Sequence, residues 1–463
     1  MLRAWLITVI LGFYLSAAPP NTMRLDYYHT GNANSEIFSL DQVVLEPLPW
    51  AGNPDMPVDG LNMGKYRFKL LNKDGKVVFS RGFCSIYGEW ELTAEASERH
   101  RTFSESLRFP CPDAQATVVL EKRGEANVFV EIWRLEIDPK DIYVQTAKPA
   151  SPGALITLEK NGEPPRKVDL LILGDGYTPD ERGKFEKDAR KMMEALFSKE
   201  PFKSRRADFN VWGLCPASQE SGVSRPSTGR HRRSPLGCSY DAFGSERYVL
   251  TYENKAFRDI ASFAPYDFVQ ILVNEKTYGG GGIYGLYSTI SADNEFAPYI
   301  FVHEFGHHFT GLADEYYTSD VAYQSSSDRP EPWEPNVTAN PLEPKWGAML
   351  TPDVPLPTPW KKTEFEAMNG AYQARRSEIR AKNLPESDME ALFRKSVLEE
   401  TALLGEDAYS GAVGAFEGAN YEATGYYRSQ TDCIMFARNP VPFCAACREA
   451  LCKMIDLYVS ASK

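Results

Sequence analysis

The chain contains 463 residues, of which 43% are hydrophobic and 12% aromatic, and its 51 basic and 63 acidic residues give a net charge of -12. This apolar content excludes a mainly disordered chain and is sufficient for two or three globular domains. The negative charge argues against a nucleic-acid partner, because an acidic protein repels the phosphate backbone. Only six residues are histidines, and three of them lie within 303–308, which marks that segment for closer attention.

Residues 1–18 have the pattern of a signal peptide. Arg3 supplies a positive charge, Ala4–Leu15 form an apolar segment that is short for a membrane span, and the small residues that signal peptidase requires end at Ala18. We therefore expect cleavage near Ala18 and export to the periplasm, the cell surface or the extracellular space. An uncleaved membrane anchor is the alternative. After removal of this segment we expect no membrane span.

Eight cysteines, an even number, are consistent with disulfides in an exported protein. The predicted pairs are local: Cys84 with Cys111, Cys215 with Cys238, and Cys433 with Cys444 or Cys447. Buried thiols are the alternative. A zinc site at Cys444 and Cys447 is a further alternative, but a single CxxC is weak support for a metal site.

The region from residue 19 to residue 150 has the patterns of β-strands. Apolar residues alternate over Lys65–Leu70, and a second β-rich run, Lys76–Ser80, follows after a turn signal. Another hairpin is expected from Ala116–Leu120 and Asn127–Ile137. Short strands separated by turn signals predict a β-sandwich domain.

From residue 151 to residue 463 the pattern changes to strands that alternate with helices. Pro179–Phe197 has helical spacing, with Thr178 as its N-cap. The strand candidates are Val168–Leu173, Phe209–Leu214 and Asp267–Val273. We predict an α/β catalytic domain that carries a loop and helical insertion at 318–404, so the whole chain is expected to be α+β.

The segment His303-Glu-Phe-Gly-His307 contains the candidate metal ligands and the candidate general base. Two histidines four residues apart lie on one face of a helix, so both imidazoles can reach one cation. Zn2+ suits neutral imidazoles and leaves one position for water. Glu304 follows the first ligand directly, where its carboxylate can accept a proton as general base and deliver it to the leaving amine. His308 points away from this face and is predicted to be structural. The alternative to a metal site is a structural helix on which the two histidines lie at the surface.

A third ligand is expected just after this helix. Gly311 is predicted to end the helix in a left-handed conformation and to turn the chain sharply. That turn would return Asp314 or Glu315 to the metal. Asp314 is the preferred ligand because its shorter side chain suits a tight turn. Glu315 would then orient one of the metal ligands without binding the metal itself.

With these motifs the chain resembles the bacterial IgA-peptidase family of zinc metalloendopeptidases and, more loosely, the metzincin clan. The resemblance extends from the histidine motif to Gly311–Tyr316 and Asp432–Met435. Metzincins have a glycine three residues after the second histidine and a third ligand three residues further on. Here Gly311 lies four residues after His307 and Asp314 lies seven after it. The longer spacing, with Asp in place of His, fits the IgA-peptidase family better than the wider clan.

The resemblance also implies roles for residues outside the motif. Met435 resembles the Met-turn residue, an apolar floor beneath the ligating imidazoles. A glycine-rich edge strand would pair with an extended substrate, although a flexible loop is the alternative. The residues predicted to bind substrate in this way are Gly281, Gly282 and Ile283. Tyr427 and Arg428 are candidates for stabilising the oxyanion, and a structural role is the alternative.

The favoured function is therefore a secreted zinc endopeptidase that cleaves extracellular proteins, with immunoglobulin as one candidate substrate. A glycan- or host-protein-binding module with a vestigial zinc site is a second hypothesis, and a cell-wall peptide amidase is a third. The presence of Glu304 argues against a vestigial site. The sequence contains no coiled-coil pattern, so we expect a monomer.

Overall fold

The structure, a computed structural model, describes residues 19–319 and 328–459. The predicted signal peptide at 1–18 lies outside the described residues. Helices and sheets both occur throughout the two described ranges, and the chain is α+β, as predicted. Within these ranges no helix combines the length and the apolar character that a membrane crossing requires.

The N-terminal region consists mainly of two antiparallel sheets, ordered β2-β1-β5 and β4-β3-β6-β7. Its elements are β1 (Asn21–Asn32), β2 (Ser35–Pro49), β3 (Tyr66–Leu71), β4 (Val77–Phe83), α1 (Ile86–Trp90), α2 (Ala94–Glu98), β5 (Arg101–Pro110), β6 (Ala116–Arg123) and β7 (Phe129–Ile137). Both predicted hairpins are confirmed, because β3 pairs with β4 and β6 pairs with β7. Alternate residues such as Leu25, Phe68 and Val118 point inward, so both sheets contribute to one apolar cluster.

A six-stranded sheet, ordered β12-β13-β11-β9-β10-β8, forms the centre of the second region. Its elements are β8 (Ile156–Glu159), β9 (Val168–Asp175), α3 (Arg182–Phe197), β10 (Phe209–Leu214), α4 (Asn254–Ala261), β11 (Phe268–Val273), β12 (Gly280–Ile283), β13 (Tyr287–Ser291) and α5 (Ala297–Thr310). The four inner strands are parallel, and the edge strands β8 and β12 are antiparallel to their neighbours. Strands β9, β10 and β11 are buried along their whole length, as expected for continuous apolar runs. The predicted cap is also confirmed, because Thr178 and Glu181 form a capping box before α3.

The described residues 328–459 combine a small sheet with three α-helices. Its elements are β14 (Val337–Thr338), α6 (Lys362–Ala381), α7 (Glu386–Gly405), β15 (Phe416–Ala419), β16 (Glu422–Arg428) and α8 (Ala445–Tyr458). Helices α6 and α7 form the helical part that was predicted for the insertion at 318–404. Strand β16 pairs with both β14 and β15, and a two-residue turn joins β15 to β16.

The N-terminal sheets pack directly against the six-stranded region. Trp90 and Phe103 belong to the same large apolar cluster as the central sheet. Arg108, on β5, forms a buried ion pair with Glu46, on β2, at 2.8 Å and donates to the backbone carbonyl of Tyr266 at 3.2 Å. These contacts therefore join β2 and β5 to the segment that leads into β11.

The predicted disulfides are wrong, because all eight cysteines are free thiols. Cys84 belongs to the large apolar cluster, whereas Cys111 packs against the separate cluster of the N-terminal sheets. The thiol of Cys238 is buried and forms a hydrogen bond with the carboxylate of Asp175. The sulfurs of Cys433 and Cys447 lie 3.9 Å apart, well beyond the bonding distance of about 2.0 Å.

Replacing Arg108 with alanine is expected to destabilise the protein substantially. The substitution leaves the carboxylate of Glu46 buried without its closest partner, and we expect a loss of about 3 kcal/mol in the free energy of unfolding. Urea denaturation measures this change. Arg190→Ala is the control, since Arg190 forms an exposed pair with Glu186 and should change stability by less than ~0.5 kcal/mol. Equal effects of the two substitutions would contradict the role given to Arg108.

Candidate active site

Helix α5 carries the histidine motif and is held firmly against the central sheet. Its apolar face, which includes Phe301 and Phe305, is buried. His308 fastens the helix to two strands, because its Nε2 accepts from the N–H of Val269 at 3.0 Å and its Nδ1 donates to the carbonyl of Ile283 at 3.1 Å. The structural role predicted for His308 is therefore confirmed. The helix ends at Gly311, whose φ of 59° is the predicted left-handed conformation.

Three side-chain atoms converge at the end of this helix. The Nε2 atoms of His303 and His307 lie 3.1 Å apart, and Oδ1 of Asp314 lies 3.0 Å from the first and 3.2 Å from the second. Two ligands of one tetrahedral zinc ion are separated by about 3.3 Å. The three atoms therefore have nearly the spacing of a metal ligand set, which was the arrangement predicted from the sequence.

Backbone carbonyls fix the orientation of both imidazoles. Nδ1 of His303 lies 3.0 Å from the carbonyl oxygen of Ile434, and Nδ1 of His307 lies 2.5 Å from that of Leu312. A carbonyl oxygen can only accept, so we assign the proton of each neutral ring to Nδ1. Each Nε2 then presents a lone pair toward Asp314, which is the tautomer that a metal ligand needs.

The donor set fits a divalent cation. In the neutral-ring state, two imidazole lone pairs and one carboxylate oxygen face the same point, and three acceptors repel one another unless a positive charge lies between them. Oδ1 of Asp314 is buried, and in this state neither Nε2 donates a hydrogen bond to it. Two nitrogens and one oxygen are the ligands of many catalytic zinc sites, in which a fourth position stays open.

The same charges control protonation when no cation is bound. Burial opposes protonation of His307, but the adjacent Asp314 carboxylate outweighs burial and raises the pKa of His307 to about 9. Burial would raise the pKa of Asp314, but the imidazoles of His307 and His303 lower it far below its usual value. Protons therefore compete with a metal ion for this site at neutral pH.

The turn between β15 and β16 holds the third ligand in place. The hydroxyl of Tyr421 donates to Oδ2 of Asp314 at 2.5 Å, and the N–H of Asn420 donates to the carbonyl of Asp314 at 2.9 Å. Asn420 and Tyr421 both have positive φ, at 51° and 65°. This strained two-residue turn aims the tyrosine at the ligand.

The three donor residues and Glu304 line a cleft with a volume of about 550 Å³. Glu304 follows His303 on α5, and burial raises the pKa of its carboxyl group above the usual value. A carboxylate with a raised pKa is a stronger base than an exposed one. The arrangement thus combines a cation site with an adjacent base in one concave surface.

Comparison with known families identifies the chain. Residues 156–455 match the family described as IgA Peptidase M64, and residues 15–134 match the family described as Peptidase M64 N-terminus. The chain belongs to the IgA peptidase M64 family. Membership implies a metallopeptidase, and the predicted family resemblance is confirmed. No curated protein gives a significant match.

Met435 lies beneath the M64 histidine motif. A Cβ atom added to Gly306 would lie 3.0 Å from Sδ of Met435, so this side chain packs against the helix between the two histidines. Its neighbour Ile434 provides the carbonyl that orients His303. The role of Met435 as a Met-turn residue stays a prediction.

The glycines of edge strand β12 allow α5 to pack very closely. A Cβ atom on Gly282 would lie 2.5 Å from the carbonyl oxygen of Glu304, and one on Gly281 would meet the ring of Tyr248 at 2.3 Å. Gly281 and Gly282 both line the cleft. Ile283 is buried and is not among the described residues that line the cleft, so its predicted contact with substrate is not supported.

The predicted catalytic residues Tyr427 and Arg428 are placed elsewhere. Neither is among the described cleft-lining residues. Arg428 is fully buried and donates to the backbone carbonyls of Gly418 and Thr431, while its guanidinium packs on Phe436. It therefore tethers loops and cannot reach a substrate in the cleft. The alternative structural role is the one that the geometry of Arg428 supports.

Other cleft residues escaped the sequence analysis. Tyr421, Tyr316 and Arg247 all line the cleft, and Nη2 of Arg247 lies 3.4 Å from the hydroxyl of Tyr316. One signal was available: Tyr316 ends the segment Gly311–Tyr316, which carries part of the family resemblance. Arg247 lies in a loop without a recognisable motif.

The two adjacent histidines of α5 are expected to titrate far apart in the metal-free protein. The Asp314 carboxylate raises the pKa of His307 to about 9, whereas burial lowers the pKa of His308 to about 3. His307 should thus stay protonated up to about pH 9, and His308 should stay neutral throughout. NMR of histidine-labelled, chelator-treated protein tests this. In Asp314→Asn the pKa of His307 should fall, and two ordinary titrations near 6.5 in the unmutated protein would refute the assignment.

Gly282→Ala is expected to separate α5 from the sheet. The added methyl group meets backbone atoms of Glu304, so the helix must shift, with a cost of about 1–3 kcal/mol in stability. Because His303 and His307 move with the helix, zinc binding should also weaken. Gly370→Ala is the matched control, since its methyl group meets no atom within 4 Å and should stabilise α6 by up to ~1 kcal/mol. Unfolding and zinc titration of both variants measure the difference; unchanged behaviour of Gly282→Ala would contradict this packing.

Proposed function

We propose that this member of the M64 family is a secreted zinc-dependent endopeptidase that hydrolyses peptide bonds of extracellular proteins. The observation that carries the proposal is the convergence of His303, His307 and Asp314 beside Glu304 in one cleft. The signal-peptide pattern at 1–18 supports secretion, and immunoglobulin is one candidate among its substrates.

The proposed chemistry divides between the metal and the chain. When bound, Zn2+ supplies Lewis-acid chemistry, which polarises a carbonyl group and lowers the pKa of water. Glu304 accepts the proton of the attacking water and delivers it to the leaving amine. The carbonyls of Ile434 and Leu312 hold the proton of each neutral imidazole at Nδ1, so each Nε2 keeps its lone pair for the metal.

An extended substrate is proposed to bind along β12. Gly281 and Gly282 line the cleft, and their backbone groups are proposed to pair with a peptide in the manner of an added strand, next to Gly280, which already forms a bridge with Tyr248. Such a peptide would pass beside Glu304, whose carbonyl oxygen lies next to Gly282. Arg247 and Tyr316, rather than Tyr427 and Arg428, are proposed to stabilise the oxyanion.

The same proposal includes the finer description of the fold. The N-terminal region would be a β-sandwich, because its two antiparallel sheets share one apolar cluster. The remainder would be metzincin-like, because the side chain of Met435 packs against the helix that carries His303 and His307. A monomeric protein is proposed as well.

An unbiased peptide library tests the function directly. The zinc-loaded chain should cleave internal peptide bonds with a defined preference around the scissile bond, and chelation should abolish cleavage. Cleavage only of terminal residues would exclude an endopeptidase. Binding of peptides, glycans or cell-wall fragments without any turnover would favour the binding module, and hydrolysis of cell-wall peptides alone would favour the amidase.

Glu304→Gln is expected to retain zinc and to lower kcat by roughly 10²–10⁴-fold, since the amide preserves the shape of the side chain but cannot accept the proton. Metal analysis and cleavage assays on the same preparation measure both quantities. Glu295→Gln, at an exposed position just before α5, is the control and should retain full activity. Full activity of Glu304→Gln would eliminate this residue as the general base.

A further inference from the structure

A second group of potential metal ligands lies behind the active site. Glu315, Cys433, Cys444 and Cys447 each contribute one ligand atom, and these atoms all lie within 4.8 Å of one another. The sulfurs of Cys444 and Cys447 are 3.2 Å and 3.3 Å from Oε1 of Glu315, and those of Cys433 and Cys447 are 3.9 Å apart. None of these four residues is among the described residues that line the catalytic cleft.

The distances match a tetrahedral ion rather than a disulfide. Two thiolates on one zinc ion lie about 3.8 Å apart, and a thiolate and a carboxylate oxygen about 3.5 Å apart. The observed 3.9 Å between sulfurs and 3.2–3.3 Å between sulfur and oxygen are close to these values. Bonded sulfurs would lie about 2.0 Å apart.

Backbone donors, a helix N-terminus and a guanidinium lie close to the sulfurs. Cys433 Sγ accepts from the backbone N–H groups of Met435 at 3.4 Å and Cys444 at 3.2 Å. Cys444 is the N-cap of α8 and Cys447 lies in its first turn, where the helix dipole favours negative charge. The guanidinium of buried Arg428 interacts electrostatically with both Glu315 and Cys433, so positive charge is close by.

Burial makes a cluster of this kind costly without a cation. Cys433, Cys447 and Glu315 are fully buried and Cys444 is 1% exposed. Oε1 of Glu315 accepts from the side chain of Asn336, but Oε2 has no hydrogen-bond partner among the described residues. A buried carboxylate in that condition is expected beside a cation.

We propose that Glu315, Cys433, Cys444 and Cys447 bind a second, structural Zn2+. Three thiolates and one carboxylate are soft and borderline ligands that suit zinc, and four protein ligands close the tetrahedron so that no position remains for water. The thiols lose their protons to solvent as the ion binds. This site holds whether or not the chain cleaves peptides.

The second ion would join three segments that build the catalytic site. Glu315 directly follows the catalytic ligand Asp314, and its N–H donates to the carbonyl of Met435 at 2.9 Å. Cys433 lies two residues before Met435, and Cys444 and Cys447 begin α8. Zinc at this point therefore fixes the ligand loop and the floor beneath His303 relative to each other.

The number of zinc ions per chain tests the proposal in the unmutated protein. Elemental analysis of the zinc-loaded, dialysed full chain should give two zinc ions per chain. Replacement by Co2+ should produce the thiolate-to-cobalt charge-transfer absorption, which the catalytic histidine and carboxylate ligands cannot produce. His303→Ala should lose one ion and keep this absorption, since the second site is independent of the first.

Variants of α8 separate the cluster from other cysteines. Cys447→Ser should lose one zinc ion and the charge-transfer absorption, whereas Cys452→Ser, on the same helix but outside the cluster, should retain both. Should Cys447→Ser fail to fold, the zinc stoichiometry and the cobalt charge-transfer absorption of the unmutated chain still decide whether the second site exists. One zinc ion per chain with Cys433, Cys444 and Cys447 all free as thiols would overturn the proposal, and so would a bond between Cys433 and Cys447 detected by mass spectrometry.

Discussion

The structure is organised around one electrostatic constraint: three acceptor atoms face a single point. Nε2 of His303, Nε2 of His307 and Oδ1 of Asp314 lie 3.0–3.2 Å from one another, and the carbonyls that hold each Nδ1 leave lone pairs on the inner side. Only a positive charge makes this arrangement favourable. A proton on His307 can meet the requirement in part, whereas a divalent cation meets it for all three atoms. The chemistry assigned to Glu304 depends on that cation.

Much of the remaining architecture keeps these atoms in position. His308 ties α5 to two strands, and the glycines of β12 let the helix approach within van der Waals distance of the sheet edge. The strained turn at Tyr421 holds Asp314 from the other side. The cluster around Glu315 lies directly behind, where it links the ligand loop to the segment of Met435. Catalytic geometry and folding of the C-terminal helices are thus coupled through adjacent residues.

Features with a local physical cause were predictable from sequence. Four-residue spacing places His303 and His307 on one helical face, Gly311 tolerates the left-handed turn, and the apolar run at β9 is a buried strand. Long-range contacts were not predictable in this way. Tyr421 reaches Asp314 from more than a hundred residues away, and Arg428 was assigned to the cleft from its sequence position although it is buried behind it. The even number of cysteines suggested disulfides. In the structure Glu315, which is distant in sequence, lies beside Cys444 and Cys447 as the further potential metal ligand that this CxxC pair lacked.

The central claim is that a zinc ion occupies the point shared by His303, His307 and Asp314. Anomalous diffraction from crystals of the zinc-loaded chain, measured on both sides of the zinc absorption edge, tests it most directly. The account predicts an anomalous peak within about 2.1 Å of both Nε2 atoms and of Oδ1 of Asp314. Absence of a peak there in crystals that contain zinc elsewhere, with a direct hydrogen bond from His307 to Asp314 in its place, would contradict it.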